Sequence, residues 1–138
     1  MDKHQAVEKV NSLFEYQYDS EQYNVADYWR ILDTSLDKDQ GDCEDYALTV
    51  AWLLASQSRL KFLWMLFTRK IKICFISYSG GGHAVLEYDG LMVDNWKRTW
   101  THRDVYEFDY AKYNWTYKFY YNPAIVIKKL IQGKFWKR

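Results

Sequence analysis

The chain changes its hydrophobic period near Ile71. Before that point apolar residues recur at three- and four-residue intervals, and after it they alternate or gather in short β-rich blocks. Val7, Val10, Phe14 and Tyr18 share one face with Glu8, Lys9, Asn11 and Glu15 opposite, which predicts an amphipathic helix over residues 4–18 lying across the core as a lid or strut. After the polar break at Asp19-Ser20-Glu21, the spacing of Val25, Tyr28, Trp29 and Leu32 predicts a second, shorter helix. The polar run from Asp33 to Gln40 then predicts a loop that delivers the chain to Gly41 and lines the mouth of any site there. Tyr46, Ala47, Val50, Ala51 and Leu54 restore the helical spacing, so a helix is expected from Cys43 to about residue 57. It is apolar on nearly every side between Val50 and Leu54, the mark of a central helix. The apolar block within Leu60–Phe67 is too short for its period to separate a helix from a buried connector.

From Ile71 the expectation is strands. Ile71–Tyr78 is rich in β-formers, and Gly80-Gly81-Gly82 breaks it. His83–Tyr88 and Leu91–Trp96 flank Asp89-Gly90, the strongest short-range signal for a hairpin. If Tyr88 pairs with Leu91, His83 faces Trp96, and Asp94 lies two positions away on the same sheet face, a diagonal of roughly 7 Å. The alternation of Tyr113, Trp115, Tyr117, Phe119 and Tyr121 with polar residues predicts another strand, paired with Val105–Tyr110. Asn122 as cap, Pro123 at the first helical position and Gly133 as the stop predict a last helix over residues 123–132.

Composition narrows the class. At 138 residues the whole chain, 1–138, is expected to be a single domain with one core. A net charge of +1 gives no global field that would draw the chain to nucleic acid or an anionic membrane, so neither is an expected partner. Basic residues do gather at the end, in Lys128, Lys129, Lys134, Lys137 and Arg138, where they suit a helix C-terminus. Two cysteines make no disulfide framework, and no Cys/His spacing fits zinc. The amphipathic opening is not a signal region and no apolar run approaches a membrane span, so the expected compartment is the cytoplasm. Aromatic residues are 20% of the chain, and the Tyr113–Tyr121 stretch with Lys118 is read as a half-buried face before a base-stacking platform.

The candidate chemistry lies in Gly41-Asp42-Cys43-Glu44-Asp45-Tyr46-Ala47. Asp42 is placed to cap the helix and Asp45 to close a capping box, which puts Cys43 in the first turn. Unpaired amides and the positive end of the helix dipole favour a thiolate there and can donate to an oxyanion beside it. The neighbouring acids act in the opposite sense, raising a thiol's pKa. A second oxyanion donor is sought in Gln40 or the Trp29 indole by position. His83 can take the thiol proton and Asp94 can orient its ring, the three roles that acyl transfer through cysteine needs. Each has a plainer reading: an unpaired cysteine is commonly a small core residue, His83 can end a turn, and Asp94 can be a strand-end acid. Cys74, inside an apolar strand, is read as packing, and His4 and His102 as surface residues.

The order GDCEDYA, then His in GHAVLEYDG, then Asp in VDNW resembles the bacterial transglutaminase-like cysteine peptidases of the papain/transglutaminase superfamily, over roughly Trp29 to Trp96. The resemblance implies an α+β fold with a papain/transglutaminase-like core, in which the cysteine helix packs on an antiparallel sheet carrying the histidine and the aspartate. It implies Cys43 as nucleophile, His83 as general base and acid, and Asp94 as third member of a triad that hydrolyses a peptide or other amide in a protein or peptide substrate. No cofactor is required by that chemistry; calcium, held by Asp42 and Glu44, is what some relatives add. Glutamine deamidation, acyl transfer to an amine, and a catalytically idle module binding protein or nucleic acid through its basic aromatic end remain alternatives. The chain is short beside the secreted relatives, which leaves the substrate open.

Overall fold

The structure is a computed structural model, and it describes residues 2–16, 29–78, 81–114 and 116–132. It is α+β, as the sequence predicts. Helix α1 (Lys3–Leu13) begins with a capping box in which Asp2 and Gln5 exchange side-chain and backbone hydrogen bonds. It ends five residues before the predicted stop, because the chain straightens into strand β1 (Phe14–Tyr16). This pairs in parallel with β2 (Asp39–Gly41), Phe14 opposite Asp39 and Tyr16 opposite Gly41. Phe14 still reaches the core, edge-on to Tyr46 at 5.2 Å. Tyr18 lies outside the described residues.

The second predicted helix is not formed where it can be seen. Val25 and Tyr28 lie outside the described residues, while Trp29–Leu32 is buried and non-helical. Its amides bond to the next helix instead of to themselves: Arg30 N donates to Asp45 Oδ1 at 2.9 Å and Leu32 N to Thr49 Oγ1 at 2.9 Å. Buried backbone must be satisfied somewhere, and side chains across the gap substitute for helical carbonyls. The loop after it carries a turn at Thr34–Asp37 and is fastened by the bidentate Arg30–Asp39 pair, at 2.7 and 2.8 Å. Burial would raise the Asp39 carboxyl, but the Arg30 guanidinium and the Asp33 amide outweigh it and hold it below the usual range.

Helix α2 (Cys43–Leu54) is the central element, with Tyr46, Ala47, Leu48, Val50 and Ala51 fully buried. It stops at Leu54 because Ser56 and Gln57 turn left-handed at φ of 56° and 57°. The ambiguous block resolves as helix α3 (Arg59–Phe67), which buries Phe62, Met65 and Leu66. Strands β3 (Ile71–Tyr78), β4 (Gly81–Tyr88), β5 (Leu91–Val93), β6 (Thr101–His102) and β7 (Thr116–Tyr120) form an antiparallel sheet in the order β6-β5-β4-β3-β7. The turn at Asp89-Gly90 has φ of 55° and 75°, and the ladder places Tyr88 opposite Leu91 and Leu86 opposite Val93, the predicted register.

Two strand expectations are corrected. Val105–Tyr110 is helical, within α4 (Arg103–Tyr110), where Tyr106 and Tyr110 meet one turn apart with tilted rings at 4.8 Å and Arg103 meets Glu107. Its hydrophobic positions fit both periods, and the 3.6-residue one prevails. β7 therefore pairs with β3, not with that segment, and a register shift between Phe75 and Ile76 places Phe119 opposite Phe75 but Tyr117 opposite Ile76. Phe75 and Ile76 point to opposite faces, so the bulge splits the predicted single aromatic face in two. Tyr117 packs with Ile76, Val85, Met92 and Tyr106, and Phe119 meets Phe75 on the other side. Helix α5 (Pro123–Gln132) starts as expected, with Asn122 Oδ1 accepting from Ala124 N at 2.8 Å; its predicted stop at Gly133 and the basic residues 134–138 lie outside the described residues. Among the described residues no helix is long and apolar enough to cross a membrane.

Candidate active site

Gly41 determines how Cys43 is presented. A Cβ there would fall 2.8 Å from Asp45 Cβ and 3.0 Å from a Leu32 methyl, so only glycine lets β2 run this close to the start of α2. The predicted capping box is present: Asp42 accepts from Asp45 N and Asp45 accepts from Asp42 N, each at 3.3 Å. Asp45 also takes the Arg30 amide, so one fully buried carboxylate ties the helix start to the preceding loop. Cys43 is the first residue of the helix and is half-buried.

The sulfur has two polar neighbours. Cys43 Sγ stands 3.3 Å from Glu44 Oε2, to which the thiol donates, and accepts from Ala84 N at 3.4 Å. The second contact follows from the sheet. The β4–β5 ladder ends at Leu86 and Val93, so the Ala84 amide lies past its end and turns to the sulfur at the tip of α2. His83 is the residue before Ala84. Among the described residues no hydrogen bond joins the sulfur to the His83 ring; the Ala84 amide, one residue on, makes the contact between the two elements.

His83 and Asp94 are brought together directly, with His83 Nε2 2.8 Å from Asp94 Oδ2, the histidine 4% exposed and the aspartate fully buried. The contact is made differently from the sequence expectation, since β5 ends at Val93 and Asp94 begins a turn rather than extending the strand. Its Oδ1 accepts from Trp96 N at 3.1 Å and Lys97 N at 2.7 Å, and its carbonyl from Arg98 N at 2.8 Å. The turn folds Trp96 flat over the imidazole, with ring centroids 3.5 Å apart and planes 3° from parallel. Tyr106, on α4, donates its hydroxyl to the same Asp94 Oδ2.

Tyr106 and the stacking of Trp96 are the members of this cluster that sequence reasoning did not assign. The first was hidden by reading α4 as a strand. The second was placed opposite His83 but not against its ring face. Gly82, read from the sequence as part of a break, lies within β4: a Cβ there would stand 2.7 Å from the half-buried Phe75 ring, so the residue makes room for that side chain.

Electrostatics around the sulfur oppose the thiolate. Burial first, then the charges of Glu44 and Asp42, push the Cys43 thiol well above the usual range, against a smaller lowering by the Ala84 amide. Glu44 is itself pushed up to about 8 by burial and by the adjacent Asp42 carboxylate. Cys74 is fully buried, its thiol raised to about 12 chiefly by burial, as suits a packing residue.

The other candidates fall as follows. Gln40 is exposed on β2, and its carbonyl accepts from Arg30 at 2.5 Å. Trp29 is fully buried and edge-on to Tyr121 at 4.9 Å, a core position. His4 and His102 are exposed. For calcium, Asp42 and Glu44 offer two adjacent carboxylates, but among the described residues no group of three or more His, Cys, Asp or Glu is disposed to hold a metal. A calcium ion takes six to eight oxygens, so this set does not fit one by itself.

No family model matches the chain, and no curated protein matches it in sequence. Among solved structures it is similar to LapG of Legionella pneumophila in two states. One, EGTA-treated, is 17% identical with a TM-score of 0.57 over 87% of this chain and 61% of that one. The other is 20% identical with a TM-score of 0.54 over 88% of this chain and 66% of that one. LapG is a transglutaminase-like cysteine peptidase, and the likeness shows that this chain has the papain/transglutaminase-like fold. The chain spans less than two thirds of the LapG structures it matches.

Proposed function

We propose that the chain is a thiol hydrolase that cleaves a peptide or other amide bond through a Cys43 thioester, with His83 as general base and acid and Asp94 as its orienting partner. The observation that carries this reading is the buried 2.8 Å contact between His83 Nε2 and Asp94 Oδ2, one residue from the amide that touches the Cys43 sulfur. With the Nε2 proton donated to Asp94, Nδ1 is the basic nitrogen, and the Trp96 ring keeps the imidazole in plane.

In the first half-reaction Nδ1 takes the thiol proton as Sγ leaves Glu44 and attacks the substrate carbonyl. The resulting oxyanion is met by the Cys43 amide, one of the helix's unpaired donors, with Gln40 as the proposed second donor. The imidazolium then protonates the departing amine as the C–N bond breaks, leaving the thioester. In the second half, water gives a proton to His83 and attacks the thioester, and the sulfur leaves with that proton. Because burial and acids hold the thiol neutral, the driving force for ionisation has to come from His83.

A protein or peptide is the substrate class this site would take. Calcium has no step in this mechanism. Hydrolysis of a diverse peptide-amide pool, read by mass spectrometry, should appear for the native chain and vanish for Cys43→Ala and His83→Ala while melting temperatures stay near the native value. Full turnover in either variant would exclude the triad.

A further inference from the structure

Helix α3 presents a second surface that the chemistry at Cys43 does not use. Its inner side is core, but Leu60, Trp64 and Phe67 point outward, 82%, 53% and 54% exposed. Their spacing of i, i+4 and i+7 makes one stripe along the helix. Residues 59–72 contain Arg59, Lys61, Arg69, Lys70 and Lys72 and no acid, in a chain whose net charge is only +1. Charge and apolar surface are thus concentrated in the same short segment.

The stripe runs into a cleft of about 420 Å³ lined by Arg69, Lys70, Lys72, Glu87, Tyr88 and Asp89, with Gly90 at its edge. Lys70 lines the cleft and also holds its ammonium 5.3 Å above the Trp64 ring, joining the two features. Arg69 and Lys72 stand over the ring of the exposed Tyr120, at 5.7 and 5.3 Å. Of the two acids in the cleft, Glu87 is held by Lys72 at 3.3 Å and Asp89 belongs to the hairpin turn. Cations remain in excess.

We propose that α3 and this cleft form a contact surface for an anionic phospholipid bilayer, with Leu60, Trp64 and Phe67 entering the headgroup region and Lys61, Arg69 and Lys70 meeting lipid phosphates. Large apolar side chains flanked by Lys and Arg on a short helix are what an interfacial contact needs. A second copy of the chain is a poor occupant, since a two-fold interface would set this cationic segment against itself. The stripe stands out from the surface instead of lining a groove, which suits insertion better than capture of a partner helix. Exposed Val105 and Phe108 on α4 make the contrast: they sit among Asp104, Glu107 and Asp109, which an anionic surface repels.

The surface lies at the Ile71–Tyr88 end of the β3–β4 ladder and His83 at the Ile76 end. That separation is five strand residues, roughly 16 Å. The inference is independent of the triad.

Vesicle co-sedimentation of the whole chain tests it, with phosphatidylcholine vesicles made with and without phosphatidylserine. The chain should sediment with the serine-containing vesicles alone, and added salt should release it. Trp64→Ser/Phe67→Ser and Lys61→Glu/Lys70→Glu should each lose at least about tenfold in partitioning while melting like the native chain. Failure to bind anionic vesicles at low salt, equal binding to both vesicle types, or native binding by both double variants would overturn the proposal. So would self-association, or capture of a protein in place of lipid, that depends on Trp64 and Phe67 without any vesicle binding.

Discussion

The carboxylate of Asp94 holds the Nε2 edge of His83 at 2.8 Å from a position that solvent does not reach. Its other oxygen closes the turn that lays Trp96 on the imidazole. Asp94→Asn keeps an oxygen for that turn but loses the charge opposite the ring. Turnover should fall about 10³- to 10⁴-fold with little change in melting temperature. Peptide hydrolysis measured beside thermal unfolding checks this, and activity within a few-fold of native would remove Asp94 from the mechanism.

Tyr106 acts on His83 only through Asp94. Tyr106→Phe keeps the buried ring and removes the hydroxyl, at a cost of about 1 kcal/mol in stability. The expected kinetic effect is a fall in kcat with KM unchanged and with the pH profile displaced, because a donor to the orienting carboxylate is lost. An unchanged profile would make the hydroxyl purely structural. Trp96→Ala should likewise lower kcat while costing little stability, since the ring is 39% exposed.

Gly41→Ala should destabilise the chain by about 1–3 kcal/mol, because a methyl group there meets Asp45 and Leu32 at 3.0 Å or less. The loss should appear in urea unfolding. Wild-type stability would contradict a close approach of β2 to the start of α2.

Glu44 sets a pH dependence whose sign is fixed by its direction of shift. Its proton is held from an ordinary value of 4.5 up to about 8 in the folded chain. The folded state therefore binds more protons than the unfolded one across that window. The contribution of Glu44 to stability is intact below about pH 4.5, declines as pH rises, and is lost by about pH 8. Glu44→Gln should flatten the decline between those limits in unfolding experiments at stepped pH. A parallel decline in the variant would assign it to other groups.

The site was legible in the sequence wherever local rules act alone. Asp42 and Asp45 give the helix start by capping, and Asp89-Gly90 gives the hairpin register from Tyr88–Leu91 to Leu86–Val93, while the turn that begins at Asp94 and completes the contact with His83 does not follow from that register. What stayed hidden depends on contacts between distant segments. The Arg30 and Leu32 amides donate to Asp45 and Thr49 in place of helical carbonyls, and three-residue strands such as β1 are too short to show a period. The bulge opposite Phe75 and Ile76 cannot be seen in the alternation it interrupts. Tyr106 was missed because Val105–Tyr110 satisfies two periods at once, and only packing against Ile76, Val85 and Met92 decides between them.

The central claim is that His83 makes Cys43 a nucleophile in surroundings that otherwise suppress its ionisation. Iodoacetamide labelling from acid to alkaline pH, mapped by peptide mass to Cys43 and Cys74, measures this in the native chain and in His83→Ala. Cys43 should label near neutral pH and slow at least about tenfold without His83, while buried Cys74 stays unlabelled in both. Equal Cys43 rates with and without His83 would contradict that claim.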